Sequence, residues 1–254
     1  MNVTSSQLLN VGALSVHAGA ARLLHDISFD VAAGEVLALL GANGAGKSTL
    51  MMALAGEFAS ANQHITFDGH PLTAWSRHAI AQRRAVNASE PPVPFTMNAG
   101  DYVALGRPFV APDDRAIAHA LTECHAREWR TRDYATLSMG EQLRVQLARS
   151  LYQLGGDDPR ERCLWLLDEP CAHLDMAQRH FVLTLIARIA KARRWAVVFS
   201  THDPLEAQLI ADRALLLRHG EALSIAPIDI ALTEANLSAC YGRPITRRAG
   251  FVSE

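Results

Sequence analysis

The stretch Gly41-Ala-Asn-Gly-Ala-Gly-Lys-Ser48 matches the phosphate-binding loop pattern G-x-x-x-x-G-K-[ST] at every specified position. A short apolar run, Glu35-Val-Leu-Ala-Leu-Leu40, precedes it, and a run typical of a helix, Thr49-Leu-Met-Met-Ala-Leu-Ala55, follows it. Strand, glycine loop and helix are the context that this pattern requires. We therefore predict a phosphate-binding loop formed by Gly41, Ala42, Asn43, Gly44, Ala45, Gly46, Lys47, Ser48 and Thr49.

The residue types of this loop suit the binding of phosphate. Glycines let the backbone approach a ligand closely and point its N–H groups inward. The following helix adds partial positive charge at its N-terminus. We expect Lys47 to reach the β- and γ-phosphates of a nucleotide and the Ser48 hydroxyl to hold Mg²⁺. The alternative is an ordinary glycine loop, which the flanking strand and helix disfavour.

Composition limits the classes of protein to consider. The 254 residues are 49% hydrophobic and 20% charged, which is typical of a globular chain. The formal net charge is −2, so nothing suggests binding driven by bulk charge, and we expect no nucleic-acid partner. No apolar run of about 18 residues predicts a membrane span, and the N-terminus does not resemble a secretory signal. The four widely spaced cysteines are typical of reduced thiols in the cytosol.

Strands that alternate with helices favour an α/β fold with a mainly parallel sheet. Three further buried runs predict strands at 163–167, 195–199 and 214–217. A helix is predicted from Asp175, and residues from about 99 to 136 are predicted to be mostly helical. This helical stretch interrupts the alternation and therefore predicts an inserted subdomain. Asp68-Gly69 predicts a tight hairpin, and the three prolines near 91–94 predict a stiff loop.

Two carboxylates end the apolar strand Leu164-Trp-Leu-Leu-Asp168-Glu169. Strands often end in acidic residues, so the pattern gains meaning only together with the upstream glycine loop. We expect Asp168 to lie beside Mg²⁺ and to act on it indirectly or through water. We expect Glu169 to face the γ-phosphate and to polarise the attacking water, which makes it the candidate general base.

Two other positions carry possible ligand contacts. Ser138 and Glu141 form the spacing of a capping box, so Ser138 starts a helix, and the same helix start could also offer N–H groups to a phosphate. Helix capping alone does not separate these two roles. His202 follows a predicted strand directly, where parallel α/β proteins bind ligands, and we expect it to contact the γ-phosphate.

The order and spacing of these motifs resemble an ABC transporter ATPase subunit over nearly the whole chain. The resemblance rests on the glycine loop, Leu137-Ser-Met-Gly-Glu-Gln142, the Asp168-Glu169 strand end, Pro170-Cys-Ala-His-Leu-Asp175 and His202. It implies a P-loop NTPase core with an N-terminal antiparallel β subdomain and an inserted helical subdomain. The implied division of the single domain is 1–88 and 156–254 for the core and about 89–155 for the helical subdomain.

The resemblance also implies how such a chain works. Two copies would clamp two ATP molecules head to tail, so that Ser138 and Gly140 bind the γ-phosphate held by the partner copy and Asp175 acts across the interface. Closure on ATP and reopening after hydrolysis would drive separate transmembrane permease subunits, fed by a periplasmic substrate-binding protein. The chain would then lie at the cytoplasmic face of the bacterial inner membrane as a peripheral subunit.

Subtype features resemble the metal-chelate importers. Asp101-Tyr-Val-Ala-Leu-Gly-Arg107 and the segment Leu232-Thr-Glu-Ala-Asn-Leu237 are similar to importers of iron–siderophores, haem and cobalamin. Arg83-Arg-Ala-Val86, Pro94-Phe-Thr96 and Ala172-His-Leu-Asp175 look most like the haem branch. We therefore favour a haem importer ATPase, with a siderophore or cobalamin importer as the alternative. A soluble ABC-type ATPase with a non-transport role and a nucleotide-binding switch subunit with impaired turnover are two further hypotheses.

Three positions depart from the family pattern. Where the family has a glutamine that reaches Mg²⁺ and the permease, this chain reads Asn87-Ala-Ser89-Glu90. Met139 replaces the first glycine of the signature, and we expect weaker or slower pairing of two copies as a result. The aromatic residue that stacks on adenine is absent, since its usual position is Ala18, and we expect modest selectivity for adenine.

Overall fold

The buried run that precedes the glycine loop is a strand in the middle of a six-stranded sheet. The computed structural model describes residues 7–88, 96–155, 162–172, 174–247 and 251–253. The strands of this part are β1 (Gln7–Ala18), β2 (Ala21–Ala32), β3 (Val36–Leu40), β4 (Ile65–Phe67), β5 (His70–Pro71), β6 (Arg84–Asn87), β7 (Leu164–Leu167), β8 (Ala196–Thr201), β9 (Arg213–Arg218), β10 (Glu221–Pro227), β11 (Ile245–Arg247) and β12 (Phe251–Ser253). Its α-helices are α1 (Lys47–Leu54), α2 (Arg77–Ala81), α3 (Ala99–Ala104), α4 (Asp114–Glu123), α5 (Met139–Leu154), α6 (Met176–Arg193), α7 (Pro204–Ile210), α8 (Ile228–Ala231) and α9 (Glu234–Tyr241).

The larger sheet has the strand order β10-β9-β3-β8-β7-β6. Every neighbouring pair in it is parallel except β9 with β10. The carboxyl ends of the five parallel strands therefore meet at one edge, which is where α/β proteins bind ligands. A second, antiparallel sheet has the order β2-β1-β4-β5 and is built from the N-terminal part of the chain. The predicted α/β fold, with a mainly parallel sheet and an antiparallel one, is confirmed.

The central strands of the larger sheet are covered on both faces. Every residue of β3, β7 and β8 is buried, which is why these strands are continuous apolar runs rather than alternating ones. Successive side chains of a strand point to opposite faces. In β3, Val36, Ala38 and Leu40 belong to one apolar core, whereas Leu37 and Leu39 belong to another. The sheet is thus sandwiched between two apolar layers.

The predicted tight hairpin joins β4 to β5. Asp68 and Gly69 have φ angles of 48° and 79°, the paired positive values of a two-residue turn that matches strand twist. Phe67 and His70 are opposite each other in the register that this turn sets. The hairpin prediction is confirmed.

The described part of the segment between β6 and β7 is mostly helical. Helices α3 and α4 both pack against α5, and two short 3₁₀ turns, Arg127–Trp129 and Tyr134–Thr136, connect α4 to α5. The prediction of mostly helical structure from about 99 to 136 is confirmed. The predicted loop near 91–94 lies outside the described residues, and the division at 88/89 and 155/156 stays a prediction.

The starts of α5 and α6 follow from their capping residues. Ser138 accepts a hydrogen bond from the backbone N–H of Glu141, and the Glu141 carboxylate accepts one from the N–H of Ser138, so the predicted capping box is confirmed. Asp175 caps α6 by accepting from the N–H of Gln178 at 2.8 Å. These bonds satisfy N–H groups that a helix start leaves without a partner.

Two strands of the larger sheet, β6 and β10, were not predicted from the sequence. Both are edge strands, and edge strands are short or partly exposed, so they carry a weaker apolar pattern. Strand β6 has only four residues, and β10 is exposed over its first half. Apolar runs in the sequence therefore predict the central strands of this sheet and neither of its edge strands.

The turn between β9 and β10 connects three parts of the fold. His219 and Gly220 have φ angles of 50° and 79°. The N–H of Gly220 donates to the carbonyl of Ala45 in the glycine loop at 2.9 Å, and the carbonyl of Gly220 accepts from the N–H of His25 in β2 at 2.8 Å. A Cβ at Gly220 would collide with the carbonyl oxygen of Leu23. Glycine is therefore required at position 220 both for the turn and for the close approach.

Replacing Gly220 by alanine should cost much more stability than the same change at Gly69. Both glycines have a φ of 79°, but a Cβ at Gly69 would meet no atom within 4 Å. The Gly69→Ala change should cost about 1 kcal/mol for the left-handed backbone alone, and Gly220→Ala about 3 kcal/mol or more. Urea unfolding of the two variants and the parent measures this difference. Equal losses would show that the contact with Leu23 is unimportant.

Candidate active site

The glycine loop lies between the end of β3 and the start of α1, at the carboxyl edge of the larger sheet. Gly44 and Gly46 have φ angles of 79° and 106°, values that residues with side chains rarely adopt. A Cβ at Gly41 would collide with the carbonyl oxygen of Leu217 and lie 2.9 Å from Cβ of Ala45. The loop is thus shaped by positions that only glycine fills without strain, and its backbone is open to close approach by a phosphate.

Lys47, the first residue of α1, is only 6% exposed. Its ammonium group donates to the carbonyl oxygen of Gly41 at 2.8 Å and to that of Ala42 at 3.3 Å. Its Nζ also lies 3.8 Å from Oε1 of Glu169. The positive charge is therefore fixed inside the loop, in the position from which it would meet an anionic ligand. Ser48 follows it and is exposed at the start of the helix.

Asp168 and Glu169 follow β7 directly, as predicted. The N–H of Asp168 donates to the carbonyl of Asn87, which extends the pairing of β7 with β6. Oδ1 of Asp168 accepts from the hydroxyl of Ser200, and no hydrogen bond or ion pair among the described residues involves its Oδ2. Together with the exposed Ser48 hydroxyl, this carboxylate supplies the oxygen donors that Mg²⁺ prefers, so the residues fit such an ion.

Glu169 has a φ of 45°, in the left-handed region that a non-glycine residue enters only at a cost of about 1–3 kcal/mol. Its carboxylate lies between two predicted site residues. Oε1 faces Nζ of Lys47, and Oε2 lies 3.7 Å from Nδ1 of His202. The structure therefore brings Lys47, Glu169 and His202 together at one edge of the sheet, although their positions span more than 150 residues of chain.

His202 is 62% exposed and comes directly after β8. Its backbone carbonyl accepts a hydrogen bond from the phenol of Tyr241 in α9 at 2.9 Å. Burial raises the pKa of Tyr241, so the phenol stays a neutral donor at ordinary pH. The backbone of His202 is thus held from behind while the imidazole stays open to solvent and to a ligand.

A charged cluster supports the turn that carries His202. Arg179 of α6 donates to Asp203 at 3.2 Å and forms an ion pair with Glu206 at 3.2 Å. Glu206 also accepts from the Thr201 hydroxyl at 2.6 Å. A cavity of about 260 Å³ lies between this cluster and the side chains of Glu169 and His202. Helix α6 and the turn after β8 are therefore joined by hydrogen bonds and ion pairs.

Ser138, Gly140 and Asp175 occupy a different place, at the starts of α5 and α6. Ser138 is exposed, and Gly140 packs against the side chain of Gln178, which a Cβ at position 140 would push aside. Within the described residues, no hydrogen bond or ion pair joins these three to the glycine loop. Their hydrogen bonds therefore serve the two helix starts, within the described residues, and not the phosphate site of their own chain.

The positions that depart from the family pattern are only partly described. The Asn87 side chain lies in the core, where its Oδ1 accepts from Ser150 at 2.6 Å and from the indole of Trp165 at 2.9 Å. Ser89 and Glu90 lie outside the described residues, as do Phe95 and His173. Met139 is 59% exposed beside Ser138.

Ala18 ends β1 opposite Ala21 and is exposed. Leu24, which pairs with Val16, would touch a Cβ placed at Gly46. The β1–β2 hairpin therefore contacts the glycine loop through Leu24, and Ala18 lies at its exposed tip.

A sequence model of the ABC transporter family matches residues 24–172, more than half of the chain. The chain belongs to the ABC transporter family. This membership makes it an ATP-binding chain and an ATP hydrolase, and the enzyme class predicted from the motifs is confirmed. No helix in the described parts of this ABC ATPase is long and apolar enough to cross a bilayer.

Relatives of this ABC ATPase have the subtype that the sequence suggested. It is 42% identical to the hemin import ATP-binding protein HmuV of Nocardia farcinica, over 89% of this chain and 78% of that protein. It is 37% identical to the HmuV protein of Methylobacillus flagellatus, over 93% and 90% of the two chains. Among solved structures, an inward-facing metal-chelate type ABC transporter matches with a TM-score of 0.79 and 26% identity, covering 98% and 96% of the two chains.

Sequence reasoning missed several residues that support the ABC ATPase site. Ser200 and Tyr241 contact predicted site residues, and Arg179 and Glu206 support the turn that carries His202, yet the sequence analysis gave none of the four a place in the site. Ser200 is a polar residue directly after the predicted strand 195–199, and this position is the sequence signal that could have identified it. Arg179 and Glu206 lie on helices whose charged residues are usually solvated, so the sequence gives no sign that they meet.

Glu206 should make the stability of this ABC ATPase depend on pH. Burial raises the pKa of Glu206 above the ordinary value of 4.5, so the folded chain holds this proton more readily than the unfolded chain does. The contribution of Glu206 to stability should therefore fall as pH rises from 4.5 to the raised pKa. Relative to a Glu206→Gln variant, the parent should lose about 1.4 kcal/mol per unit of pKa difference. Urea unfolding of both proteins across this window tests it, and a pH-independent difference would contradict it.

Proposed function

We propose that this chain is the ATP-hydrolysing subunit of a bacterial haem importer, coupling ATP binding and hydrolysis to transport by separate membrane permease subunits. The observation that carries the proposal is the convergence of Lys47, Glu169 and His202 at the carboxyl edge of the sheet. Relatives 34–42% identical over most of the chain are named hemin import ATP-binding proteins, which supports haem as the cargo. They do not favour a siderophore or cobalamin importer, nor a soluble non-transport role.

In this proposal the glycine loop and Lys47 bind the phosphates of ATP. The loop offers backbone N–H groups, and the ammonium group would exchange its carbonyl partners at Gly41 and Ala42 for the β- and γ-phosphates. Mg²⁺ would be held by the Ser48 hydroxyl and the Asp168 carboxylate. When bound, the ion neutralises negative charge on the phosphates. Thr49 extends the same loop into the helix.

Glu169 is the proposed general base, and His202 the proposed contact to the γ-phosphate. The carboxylate is close enough to both Lys47 and His202 to orient a water molecule between them and the phosphate. No covalent bond to phosphate is needed, because positioning and charge stabilisation account for most of the rate acceleration in phosphoryl transfer. The exposed imidazole of His202 can reach a ligand that enters from solvent.

A second copy of the chain is the proposed partner at the nucleotide. Ser138, Gly140 and Asp175 form no hydrogen bond or ion pair with their own glycine loop within the described residues, which suits a role toward the ATP of the partner copy. Further proposed partners are the permease subunits and, through them, a periplasmic substrate-binding protein. The subunit would work at the cytoplasmic face of the inner membrane, with 89–155 as its helical subdomain and 1–88 and 156–254 as its core.

Glu169→Gln should keep ATP binding and lose turnover by about 100-fold or more, since the amide cannot accept the proton of water. This variant should also hold two copies together in ATP. Lys47→Ala should instead lose ATP binding, because the charge that meets the phosphates is gone. Phosphate release and gel filtration with ATP measure the two effects.

Glu221→Gln is the matched control, because it removes one exposed carboxylate of β10. It should leave both readouts unchanged. Normal turnover by Glu169→Gln would show that another group acts as the base.

Transport of haem is tested with the chain and its permease in lipid vesicles. ATP-dependent uptake of haem from a haem-loaded binding protein should occur with the parent and not with Glu169→Gln. A ferric siderophore and cobalamin serve as competing cargoes in the same vesicles. Uptake of one of these in place of haem would overturn the cargo assignment, and vesicles without any ATP-driven uptake would overturn the transport role.

A further inference from the structure

One hydroxyl group contacts both carboxylate residues of the site. The Oγ of Ser200 donates to Oδ1 of Asp168 and accepts from the backbone N–H of Glu169 at 2.9 Å. Ser200 is the fifth residue of β8, directly opposite Leu39 of β3, and no part of it is exposed. Ser200 thus lies within β8, whereas the two residues that it contacts follow β7.

The direction of these two bonds is fixed by chemistry. A serine hydroxyl has one proton to donate, and a backbone N–H can only donate. The proton of Ser200 must therefore point to Asp168, because Glu169 presents a donor. A hydrogen bond to a carboxylate in a buried setting is among the stronger kinds. With Oδ1 occupied in this way, Oδ2 is the oxygen that Asp168 presents to a ligand.

The bond to Glu169 stabilises an unfavourable backbone conformation. Glu169 has a φ of 45°, and its N–H is held by Ser200 where the chain leaves β7. This conformation sends the carboxylate toward Lys47 and His202. A strained residue persists only when its surroundings determine its conformation, and the hydroxyl of Ser200 is one such determinant.

We propose that Ser200 is a positioning residue for ATP hydrolysis, which fixes the Asp168 carboxylate and the Glu169 backbone in one arrangement through a single buried hydroxyl. The proposal rests on the roles proposed above for these two carboxylates. Ser200 touches neither ATP nor water in this scheme. It acts by setting the distance and orientation between the oxygen that faces the metal and the group that acts as base.

Replacing a serine that has only a structural role would change the stability of the fold and nothing else. Ser150 provides a matched control for this possibility. Ser150 is also fully buried, and its Oγ also donates to a side-chain oxygen, that of Asn87. Ser150→Ala therefore removes a comparable buried hydroxyl that bonds neither Asp168 nor Glu169. The two alanine variants should lower the melting temperature by similar amounts, while only Ser200→Ala should alter the site.

The first measurement uses the nucleotide-free chain. Amide hydrogen exchange at Glu169, followed by NMR, should become at least about tenfold faster in Ser200→Ala, because its N–H loses its acceptor. In Ser150→Ala it should stay as in the parent. Unchanged exchange at Glu169 in a folded Ser200→Ala protein would overturn the proposal.

The second measurement is steady-state hydrolysis. Ser200→Ala should lower kcat about tenfold, raise the Mg²⁺ concentration for half-maximal rate, and change the KM for ATP by less than about threefold. Ser200→Thr, which keeps a hydroxyl, should restore most of kcat. Parent-like kcat and Mg²⁺ dependence in Ser200→Ala would overturn the proposal.

Variants at Ser200, Asp168 and Glu169 distinguish a failure of folding and a failure of the site assignment from a failure of the role proposed for Ser200. If Ser200→Ala does not fold, Ser200→Cys keeps the volume with a weaker donor, and it should show the same changes at smaller size; parent-like behaviour would overturn the proposal. Asp168→Asn and Glu169→Gln test the underlying roles separately. If these two turn over normally, the site assignment fails; if they lose turnover while Ser200→Ala does not, only the role of Ser200 fails.

Discussion

A buried ammonium group must have partners, and this requirement shapes the site. Lys47 is almost fully enclosed, and an unpartnered charge in such a place would be very costly. Two loop carbonyls and the nearby Glu169 supply the partners. The carbonyls come from the turn after β3 and the carboxylate from the turn after β7, with β8 between the two strands. The parallel pairing of these strands is therefore what allows the lysine to be buried, and it also places an acidic group beside the phosphate loop.

The sequence predicts the parts of this fold that depend on local pattern. Strands β3, β7 and β8 are found because burial on both faces makes them unbroken apolar runs, and α5 and α6 because Ser138 and Asp175 cap them. The edge strands β6 and β10 are missed because each pairs with a neighbour on one side only and is partly exposed. The motif residues Lys47, Glu169 and His202 are predicted as a group. Their supporting residues are not, because Ser200 bonds Asp168 and Glu206 pairs with Arg179, and both of these partners are distant in the chain.

The capping box at the start of α5 is explained by helix initiation. Ser138 and Glu141 exchange hydrogen bonds, and the same carboxylate has its pKa lowered, first of all by the bond from the backbone N–H of Ser138. Helix initiation accounts for this geometry completely. The proposed role of Ser138 toward a second nucleotide therefore draws its support from the lack of a bond, among the described residues, between Ser138, Gly140 or Asp175 and their own glycine loop. The exposed Met139 lies at the same helix start, where the family pattern has a glycine.

The turn at Gly220 has a mechanical consequence. The N–H of Gly220 donates to the glycine loop, and its carbonyl accepts from β2. Because Gly220 has no side chain, the backbones of the turn, the loop and β2 approach one another closely. The loop and the antiparallel sheet are therefore tied through main-chain atoms alone, without long side chains that could stretch or change rotamer. Displacement of that sheet would carry the loop with it as one stiff piece. Flexing during a work cycle would then fall on other junctions of the subunit.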